Sequence, residues 1–528
     1  MTATNTKTDK KLSLPDDLAQ CHALIEELQA TLQATMQEHE REKAHLQHRV
    51  AYLIEQMYGR RAEKVDPAQL LLFAEQVAQT VQPETTADEI EEPPPPQRKK
   101  KKSGRKKLPV ELPRIQIKHP VPEDKEICQH CSSPCRCIGH KITEQLEYAP
   151  ASLFIIEHIQ PVMGCRCGEG EIVVAQKPAQ PIEKGIPGPG LLAQVVVSKY
   201  ADHLPLYRQE NMFQRHGVEI SRKTMCDWVL AAAQMLEPVV DFMKTKLLES
   251  KVIHTDDTPV NVRGPDGNMQ GRFWVYLGDE EHPYTIFDFT PDRRRDGPQT
   301  FLADFVGSAA SPRYLQADAY GGYDGIFSAG NAVLECACWA HARRRFYEAR
   351  KSDVNRAHQM LAWIKLLYAV ERDARELDAA QRYAMRQERS RPILYKISTW
   401  LDEQKDIVLP KSPIGEAIGY CINQWQALNR YLDDGDLSMD NNVSENALRG
   451  IAIGRKNYLF IGSLRGGHAA AILYTMIKCA QRHNIDVFVY LRDLFMRIPT
   501  HPNKDIQQLL PDNWKRDILP NLQPPPRP

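Results

Sequence analysis

The sequence lacks any apolar run long enough to cross a membrane, which takes about 20 residues in a helix. It also lacks a secretory signal, because residues 1–11 contain no apolar segment. Neither sign of charge is in excess, since Lys and Arg together number 68 and Asp and Glu together number 68. These absences predict a soluble cytoplasmic protein with no membrane partner, and they leave every soluble partner class open.

Cysteine is scarce, at 12 of 528 residues, and the cysteines are clustered. In a chain without an export signal, this distribution favours metal binding over a disulfide framework. Two close pairs can together hold one tetrahedral zinc ion. The predicted ligands are Cys128, Cys131, Cys165 and Cys167.

The segment between these pairs has an apolar strand pattern at residues 155–159, which suits a zinc-ribbon hairpin. We therefore predict a small zinc-ribbon-like domain at residues 115–178. Cys135 or Cys137 could replace one of the ligands, and buried reduced thiols are the alternative to a zinc site.

The N-terminal region predicts one long helix or helix pair at residues 16–58. Apolar residues recur at alternating steps of three and four, which is the seam pattern of a coiled coil. The first five seam residues are Leu18, Cys21, Ile25, Leu28 and Leu32. Polar residues interrupt the seam at Thr35, His39 and Glu42. A self-associating coiled coil within residues 1–78 is favoured over a helix packed on its own core, and it predicts a homodimer or higher oligomer.

A linker rich in proline and then in basic residues follows at residues 79–114. Four prolines at residues 93–96 stiffen it, and like charges at residues 98–107 keep it extended. The basic run is either a solvated segment or a nonspecific contact for phosphates. Residues 179–250 predict a helical segment with a helix-turn-helix outline, although ordinary helical hairpins share it. Arg222 and Lys223 begin its second helix, where DNA contacts are made.

Two strand patterns in the following region each end near an aspartate. An apolar strand beginning at residue 252 leads to Asp256 and Asp257, and a strand beginning at residue 313 leads to Asp318. Further strands are predicted at residues 272–278, 284–289 and 332–337, with a short helix at residues 300–305. A helix is predicted at residues 380–404, and a later helix carries Glu445 in its first or second turn. A strand-like apolar run is predicted after Asn457, followed by a flexible turn at residues 465–468.

The residues before Glu445 are Asp440, Asn441 and Asn442, which cap helices well through their side-chain oxygens. Alone, Glu445 reads as a surface charge. Together with two aspartates near strand ends, it completes the oxygen ligands that two divalent ions about 4 Å apart require for phosphoryl transfer. Mg²⁺ suits such a site, because it prefers a few carboxylates and several waters.

Five motifs together resemble the transposases of the insertion sequence 66 family, and the resemblance covers nearly the whole chain. The motifs are HTDDTP (254–259), ADAYGGY (317–323), CWAHARRRF (338–346), DNNVSENALR (440–449) and GRKNYLFIGS (454–463). The resemblance implies a multidomain α+β protein with an RNase H-like α/β core at residues 251–485, a helical insertion at about 352–432 and a C-terminal tail at 486–528. It also implies that Asp256, Asp318 and Glu445 are the metal-binding catalytic triad.

The chain departs from the family where Asp257 replaces the usual glutamate. Adjacent side chains of a strand face opposite ways, so only one of the two aspartates is expected to reach the metals, and we predict Asp256. Predicted DNA contacts near the site are the basic residues His341, Arg344, Arg345, Arg449, Arg455 and Lys456, with plain surface charge as the alternative. Cys336, Cys338 and His341 could instead hold a second metal.

These features predict a DNA transposase that binds two Mg²⁺ ions, or Mn²⁺, and one structural zinc ion. The expected partners are the terminal inverted repeats of its element, target DNA, and smaller proteins of the same element, with nucleoid association when DNA is bound. A zinc-containing DNA-binding protein without chemistry, and a nuclease that cuts without joining, are the alternatives.

Overall fold

The computed structural model describes residues 18–58, 153, 162–163, 173–174, 179–183, 185–264, 267–327 and 330–522. The predicted zinc ligands Cys128, Cys131, Cys165 and Cys167 and the basic linker at residues 79–114 lie outside the described residues. Within the described part, no helix is both long enough and apolar enough to span a bilayer. The architecture is mixed α+β, as predicted.

The N-terminal helix α1 (Leu18–Tyr58) is continuous over 41 residues, which confirms the predicted long helix. Three of its seam residues face solvent in the single chain. Ile25, Leu28 and Leu32 are 53%, 55% and 63% exposed. A lone helix gains nothing by exposing such a stripe, so self-association through α1 stays a prediction with a physical motive.

The central sheet has five strands in the order β5-β4-β3-β6-β7. Strand β4 runs antiparallel to both β3 and β5, whereas β3, β6 and β7 are mutually parallel. The strands are β3 (Val252–Gly264), β4 (Gly267–Leu277), β5 (Thr285–Thr290), β6 (Arg313–Gln316) and β7 (Val333–Cys336). A separate pair, β1 (Val162–Met163) and β2 (Val173–Val174), is antiparallel. The central position of β3 puts Asp256 in the middle of the sheet.

Strand β4 shows why the sheet is buried on both faces. Four consecutive residues, Phe273, Trp274, Val275 and Tyr276, are at most 1% exposed. A strand that alternates its side chains between two faces can bury all four only if helices cover both sides.

One hydrophobic core joins the sheet to helices from both ends of the chain. These helices are α2 (Pro189–Tyr200), α3 (Leu206–Arg215), α4 (Arg222–Leu247), α12 (Asn442–Tyr458), α13 (Leu464–Arg482) and α14 (Val487–Arg497). Helix α13 packs on β5 and α4, and α14 packs on α2. The predicted helix-turn-helix segment and the C-terminal segment therefore bury side chains such as Leu236 and Trp514 in the same core as the sheet.

The predicted helical insertion has a second core of its own, in which Trp363, Leu394 and Ile418 are buried. Its helices, with the helix that precedes it, are α6 (Trp339–Ala349), α7 (Val354–Asp373), α8 (Ala379–Met385), α9 (Arg391–Gln404), α10 (Pro413–Asn423) and α11 (Trp425–Asn429). A π-helical turn, Arg386–Ser390, interrupts the single helix predicted at residues 380–404. There the buried Arg386 donates to Glu371 and to three backbone carbonyls, which holds the insertion together.

Shorter elements complete the described chain. These are the 3-10 turns Gly321–Tyr323, Arg430–Leu432, Ile498–Thr500, Asn503–Leu509 and Leu519–Asn521, the short helices α5 (Asp296–Phe301) and α15 (Pro511–Asn513), and a π-turn at Trp514–Ile518.

Three local predictions were wrong. The short helix expected at residues 300–305 begins earlier, at Asp296. The strand-like run after Asn457 is instead the end of α12 and a turn, with one isolated bridge between Val262 and Ile461. The flexible turn expected at residues 465–468 is the first turn of α13, because the Ser463 side chain accepts a hydrogen bond from the Gly466 amide and starts the helix.

Candidate active site

The two adjacent aspartates of β3 have opposite surroundings. The Asp257 side chain is only 2% exposed and accepts hydrogen bonds from Arg272 and Arg293, each at 2.7 Å. Asp256 lies on the other face of the strand, where the structure describes no ion pair for it. Asp257 is therefore a paired structural carboxylate, and Asp256 keeps its charge for another use.

The buried carboxylate of Asp256 feels the negative charges of the other two predicted ligands. Burial raises the pKa of Asp256 to about 7, and a hydrogen bond of 2.7 Å from the Asp257 amide opposes this rise. The negative charges of Asp318, Asp257 and Glu445 raise the pKa further. A bound cation would relieve this repulsion at Asp256.

Asp318 follows β6 by two residues, at a turn where Ala319 has a φ of 60°. The amide of Tyr320 donates to Asp318 Oδ1 at 3.2 Å, which fixes the carboxylate at the end of the strand. Arg293 Nη2 lies 3.5 Å from Asp318 Oδ2, and the Tyr320 ring stacks under the same guanidinium at 4.0 Å. Arg293 thus links the structural carboxylate Asp257 to the candidate ligand Asp318.

Sequence reasoning missed Arg293. The signal was three consecutive arginines, residues 293–295, directly after β5. Such a run reads as surface charge unless the sheet order is known, because only the fold brings it opposite β3 and β6.

Glu445 stands in the first turn of α12, where the helix dipole stabilises a negative charge. Its side chain is 49% exposed, and its Oε1 lies 3.9 Å from His341 Nε2. His341 comes from the first turn of α6, and its Nδ1 is buried without a partner among the described residues. The structure thus brings His341 to the site that the family motif predicted for it.

Asn441 does not cap α12 as predicted. Its side chain makes no capping bond, and its Nδ2 donates instead to the Thr255 carbonyl at 2.7 Å. Its Oδ1 accepts from Ser444 Oγ at 2.9 Å and lies 3.3 Å from His254 Nδ1. Burial lowers the pKa of His254 to about 4, so this ring is neutral at neutral pH.

A second tie connects α12 to β6. Gln316 Nε2 donates to the carbonyls of Ser438 and Asp440, at 2.6 and 3.0 Å. The Asp440 side chain accepts from Tyr368 in the insertion, at 3.0 Å. The segment before α12 is therefore bonded to residues next to both aspartates, which sets where Glu445 stands.

Comparison with known proteins assigns the chain to a family. A sequence profile described as "Transposase IS66 family" matches residues 184–469, which is more than half of the chain. The chain belongs to the IS66 transposase family. Shorter matches are "Transposase C of IS166 homeodomain" at residues 45–117, "zinc-finger binding domain of transposase IS66" at 125–168 and "IS66 C-terminal element" at 475–511. The resemblance predicted from the motifs is confirmed.

Two relatives, both from Sinorhizobium fredii, extend the match over most of the length of this chain. Uncharacterized protein y4hP is 31% identical over 500 residues, covering 89% of each chain. Uncharacterized protein y4qI is 33% identical over 399 residues, covering 72% of each chain. The zinc-finger match of the transposase spans all four cysteines predicted as ligands, and it supports zinc binding.

The donor set of the transposase suits Mg²⁺ or Mn²⁺, because carboxylate oxygens are the ligands these ions prefer. In the described part of the chain, no three His, Cys, Asp or Glu side chains already stand close enough to enclose an ion. A site of a few carboxylates completed by waters and DNA oxygens does not need a closed protein cage. Asp256 and Glu445, neither paired with Lys or Arg in the described structure, would hold the ions, with Asp318 beside them.

The alternative second metal at Cys336, Cys338 and His341 is not formed among the described residues. Burial raises the pKa of Cys338 to about 11, which disfavours the thiolate that a metal needs. Cys338 Sγ instead accepts a hydrogen bond from the Asn441 amide at 3.2 Å. It is one more contact that positions α12.

The basic residues predicted to contact DNA differ in whether they have partners within the described chain. Arg455 donates to Thr258 Oγ1 at 3.0 Å and to the Pro259 carbonyl, so it joins α12 to β3. Arg344 pairs with Glu348 at 3.1 Å, and Arg345 stacks over Tyr420 at 4.5 Å. Arg449 and Lys456 are exposed on α12.

At the start of α4, Arg222 pairs with Glu210 at 3.0 Å, and Lys223 is exposed. Ser221 caps this helix, accepting from the Thr224 amide at 3.1 Å. The described contacts do not connect Arg222 or Lys223 with the three carboxylates.

Proposed function

We propose that the chain is a DNA transposase in which Asp256, Asp318 and Glu445 hold two Mg²⁺ ions for hydrolysis and strand transfer. One observation carries the proposal. Strand β3, the turn after strand β6 and helix α12 carry Asp256, Asp318 and Glu445, and the negative charges of Asp318 and Glu445 raise the pKa of the buried Asp256. Family membership supplies the substrate class, DNA.

The sheet order supports an RNase H-like core. In such a core the first strand is central, the second is antiparallel to it, and the fourth and fifth are parallel to it. Strands β3 to β7 have this arrangement, with Asp256 on the first strand and Asp318 just after the fourth. A helix after the fifth strand then supplies the third carboxylate.

When bound, the two ions would activate the attacking oxygen and stabilise the leaving oxygen. The carboxylates would hold the ions, whose positive charge offsets the repulsion between these carboxylates and the scissile phosphate. In the first step water attacks phosphorus, the bond to the 3′ oxygen breaks, and that oxygen leaves as a 3′-OH. In the second step the same 3′ oxygen attacks a target phosphate and displaces a target 3′ oxygen, so no covalent enzyme intermediate is required.

Neighbouring residues keep this geometry. The two Arg ion pairs hold Asp257 away from the metals, and Asn441 holds the start of α12 against β3. His341, next to Glu445, is positioned to donate a hydrogen bond to a phosphate oxygen. The N-terminal helix, the zinc domain and the helical segment would bind and pair the terminal repeats, as a homodimer or higher oligomer.

Strand transfer on oligonucleotide duplexes that carry the element's terminal repeats tests the proposal. Wild-type protein joins ends to target DNA with Mg²⁺ or Mn²⁺, and Glu445→Gln reduces joining at least a hundredfold. Glu416→Gln is the matched control, because Glu416 is also an exposed glutamate in the first turn of a helix, α10 of the insertion. Joining by Glu445→Gln at the wild-type rate would refute the catalytic assignment.

Cleavage without joining would instead identify a nuclease, and DNA binding without either would identify a protein that has lost the chemistry. Zinc is tested separately, by metal analysis of the Cys128→Ser/Cys165→Ser double variant. Cys226→Ser is its control, since Cys226 is an exposed free cysteine far from the zinc-finger match in sequence. Unchanged zinc content in the double variant would contradict the predicted ligand set.

A further inference from the structure

One exposed stripe runs along α12 from the candidate active site to the end of the helix. It consists of Glu445, Arg449, Ile453 and Lys456, which are all exposed and spaced by four, four and three residues. This spacing places them on one face of a helix. The stripe ends at Leu459 and Phe460, directly after the helix.

The chain turns sharply at Leu459. This residue has φ 62° and ψ −41°, and the Phe460 amide donates to the Tyr458 carbonyl at 2.6 Å across it. A three-residue turn of this hand is rare and strained, and strain of this kind is concentrated at functional positions. It costs more for a branched apolar residue than for glycine.

The turn exposes two large apolar side chains to solvent. Leu459 is 66% exposed and Phe460 is 43% exposed. The Arg263 guanidinium lies 4.7 Å from the centre of the Phe460 ring, so one face of the ring is already stacked. A strained turn that exposes Leu and Phe gains nothing in the isolated chain, which indicates that both side chains act on a partner.

The exposed pair is held rigidly. Ile461 donates to the Asn261 carbonyl and accepts from the Arg263 amide, each at 2.8 Å, so the chain after the turn lies along the end of β3. Arg455 fixes the last turn of α12 to the same strand. The pair therefore projects from a fixed edge of the central sheet.

The charge of the stripe and of the chain after it favours a polyanion as the partner. The 40 residues from Asn446 to Ile485 contain no Asp or Glu, and three of their basic residues, Arg449, Lys456 and Arg465, are exposed. The stripe also begins at the carboxylate that we assign to phosphoryl transfer. A strand of DNA engaged at Glu445 and lying along Arg449 and Lys456 meets Leu459 and Phe460 next.

We propose that Leu459 and Phe460 form a wedge that enters the base stack of the bound DNA and stacks an unpaired base on the Phe460 ring. The wedge is a specificity and positioning device, and it rests on the proposed function. Apolar wedges unstack base steps in other DNA-binding proteins, and aromatic rings bind the exposed bases. Phe460 follows Glu445 by 15 positions, a rise of about 22 Å at helical spacing, so the unstacked base lies about six base pairs from the scissile phosphate.

A fluorescent base analogue locates the wedge. Terminal-repeat duplexes carrying single 2-aminopurine substitutions at positions three to nine from the cleavage site are bound to the full-length protein with Ca²⁺, so that no cleavage occurs. Wild-type protein is expected to change the fluorescence strongly at one or two adjacent positions. With the Phe460→Ala variant, the fluorescence at those positions is expected to equal that of free DNA.

Strand transfer then gives the functional consequence. Phe460→Ala is expected to lower joining about tenfold on intact duplex, and Phe460→Trp to retain it, because either large ring can stack a base. Removing the base at the fluorescent position, which makes unstacking unnecessary, is expected to restore joining by Phe460→Ala. Tyr395→Ala is the control, since Tyr395 is an aromatic residue 75% exposed on the helical insertion.

The outcomes separate the wedge from the proposed function. If wild-type protein joins DNA while no position changes fluorescence and Phe460→Ala matches Tyr395→Ala, the wedge is wrong and the transposase proposal stands. If wild-type protein neither binds nor joins DNA, the proposed function is wrong, and the wedge that rests on it is wrong as well. A fluorescence change that persists in Phe460→Ala also overturns the wedge, because another group is then unstacking the base.

Discussion

Asn441 Nδ2 donates a hydrogen bond of 2.7 Å to the carbonyl oxygen of Thr255, a residue 186 positions earlier in the chain. Thr255 directly precedes Asp256, and Asn441 directly precedes the helix that carries Glu445. This bond therefore helps to set the distance between two of the three candidate ligands. Ser444 and His254 hold the Asn441 oxygen in turn.

Replacing Asn441 tests this relationship. Asn441→Ala removes the buried donor to the Thr255 carbonyl and the oxygen that Ser444 and His254 contact. The free energy of unfolding is therefore expected to fall by about 2 kcal/mol. Joining activity is expected to fall at least tenfold, because Glu445 is no longer held in register with Asp256. Urea unfolding and strand transfer measure the two effects. The exposed Asn423→Ala in α10 is the control, and activity equal to this control would contradict the role of Asn441.

The neighbouring aspartates of β3 are expected to respond in opposite ways. Asp257→Asn leaves Arg272 and Arg293 facing a neutral group in a place where Asp257 is 2% exposed, and it is expected to lower the free energy of unfolding by about 2–4 kcal/mol. Asp256→Asn breaks no ion pair, so it is expected to abolish joining without loss of stability. Equal destabilisation by both substitutions, measured by urea unfolding, would show that their environments are not distinct.

The pH dependence of stability checks the charge of Asp256 in metal-free protein. Burial raises its folded-state pKa from 3.8 to about 7, so the folded protein binds a proton that the unfolded chain releases. Stability from this group is then complete below about pH 4 and is lost as the pH rises to about 7. Asp256→Asn removes the dependence and is expected to be about 4 kcal/mol more stable than wild type at pH 8, and equal to it at pH 4.

Unfolding with and without EDTA and Mg²⁺ provides the comparison. Added Mg²⁺ is expected to stabilise wild type at pH 8 and not Asp256→Asn. If the difference in unfolding free energy between wild type and Asp256→Asn is the same at pH 4 and pH 8, the raised pKa is contradicted.

Arg455 and Lys456 are adjacent basic residues for which different effects are expected. Arg455→Ala loses the bonds to Thr258 and Pro259 and is expected to lower the free energy of unfolding by about 1–2 kcal/mol. Lys456→Ala is expected to leave stability unchanged and to reduce the dependence of log Kd on log salt by about one, because one phosphate contact is lost. Fluorescence anisotropy on terminal-repeat DNA at several salt concentrations measures this slope. An unchanged slope for Lys456→Ala would remove it from the DNA interface.

The sequence patterns predicted the elements that bear the three carboxylates, because a strand followed by Asp and a helix with an early Glu are local signals. They did not predict what the flanking residues bond to. Asn441 carries a capping pattern, yet Thr255 competes for its side chain and is 186 residues away. For the same reason, Arg455 is predicted as a DNA contact, and the partners of Arg293 and Arg386 are not predicted. Each finds its partner only after distant strands and helices have packed.

The boundaries that failed share a physical cause. The run after Asn457 is apolar enough for a strand, but α12 continues because its last turn is anchored to β3 by Arg455. The helix at residues 380–404 is broken where Arg386 turns inward to bond carbonyls of the insertion. Local periodicity contains no information about such long-range bonds.

The position of α12 in the chain also has a consequence during protein synthesis. Asp318 leaves the ribosome 127 residues before Glu445, from the difference of their positions, and at about 5–20 residues per second this takes roughly ten seconds. Throughout that interval the growing chain already contains its N-terminal helix, zinc-finger match and helical segment, but it lacks Glu445 and could not carry out the proposed cleavage. A chain that stops short of α12 is therefore expected to bind element ends without acting on them and to compete with the complete protein.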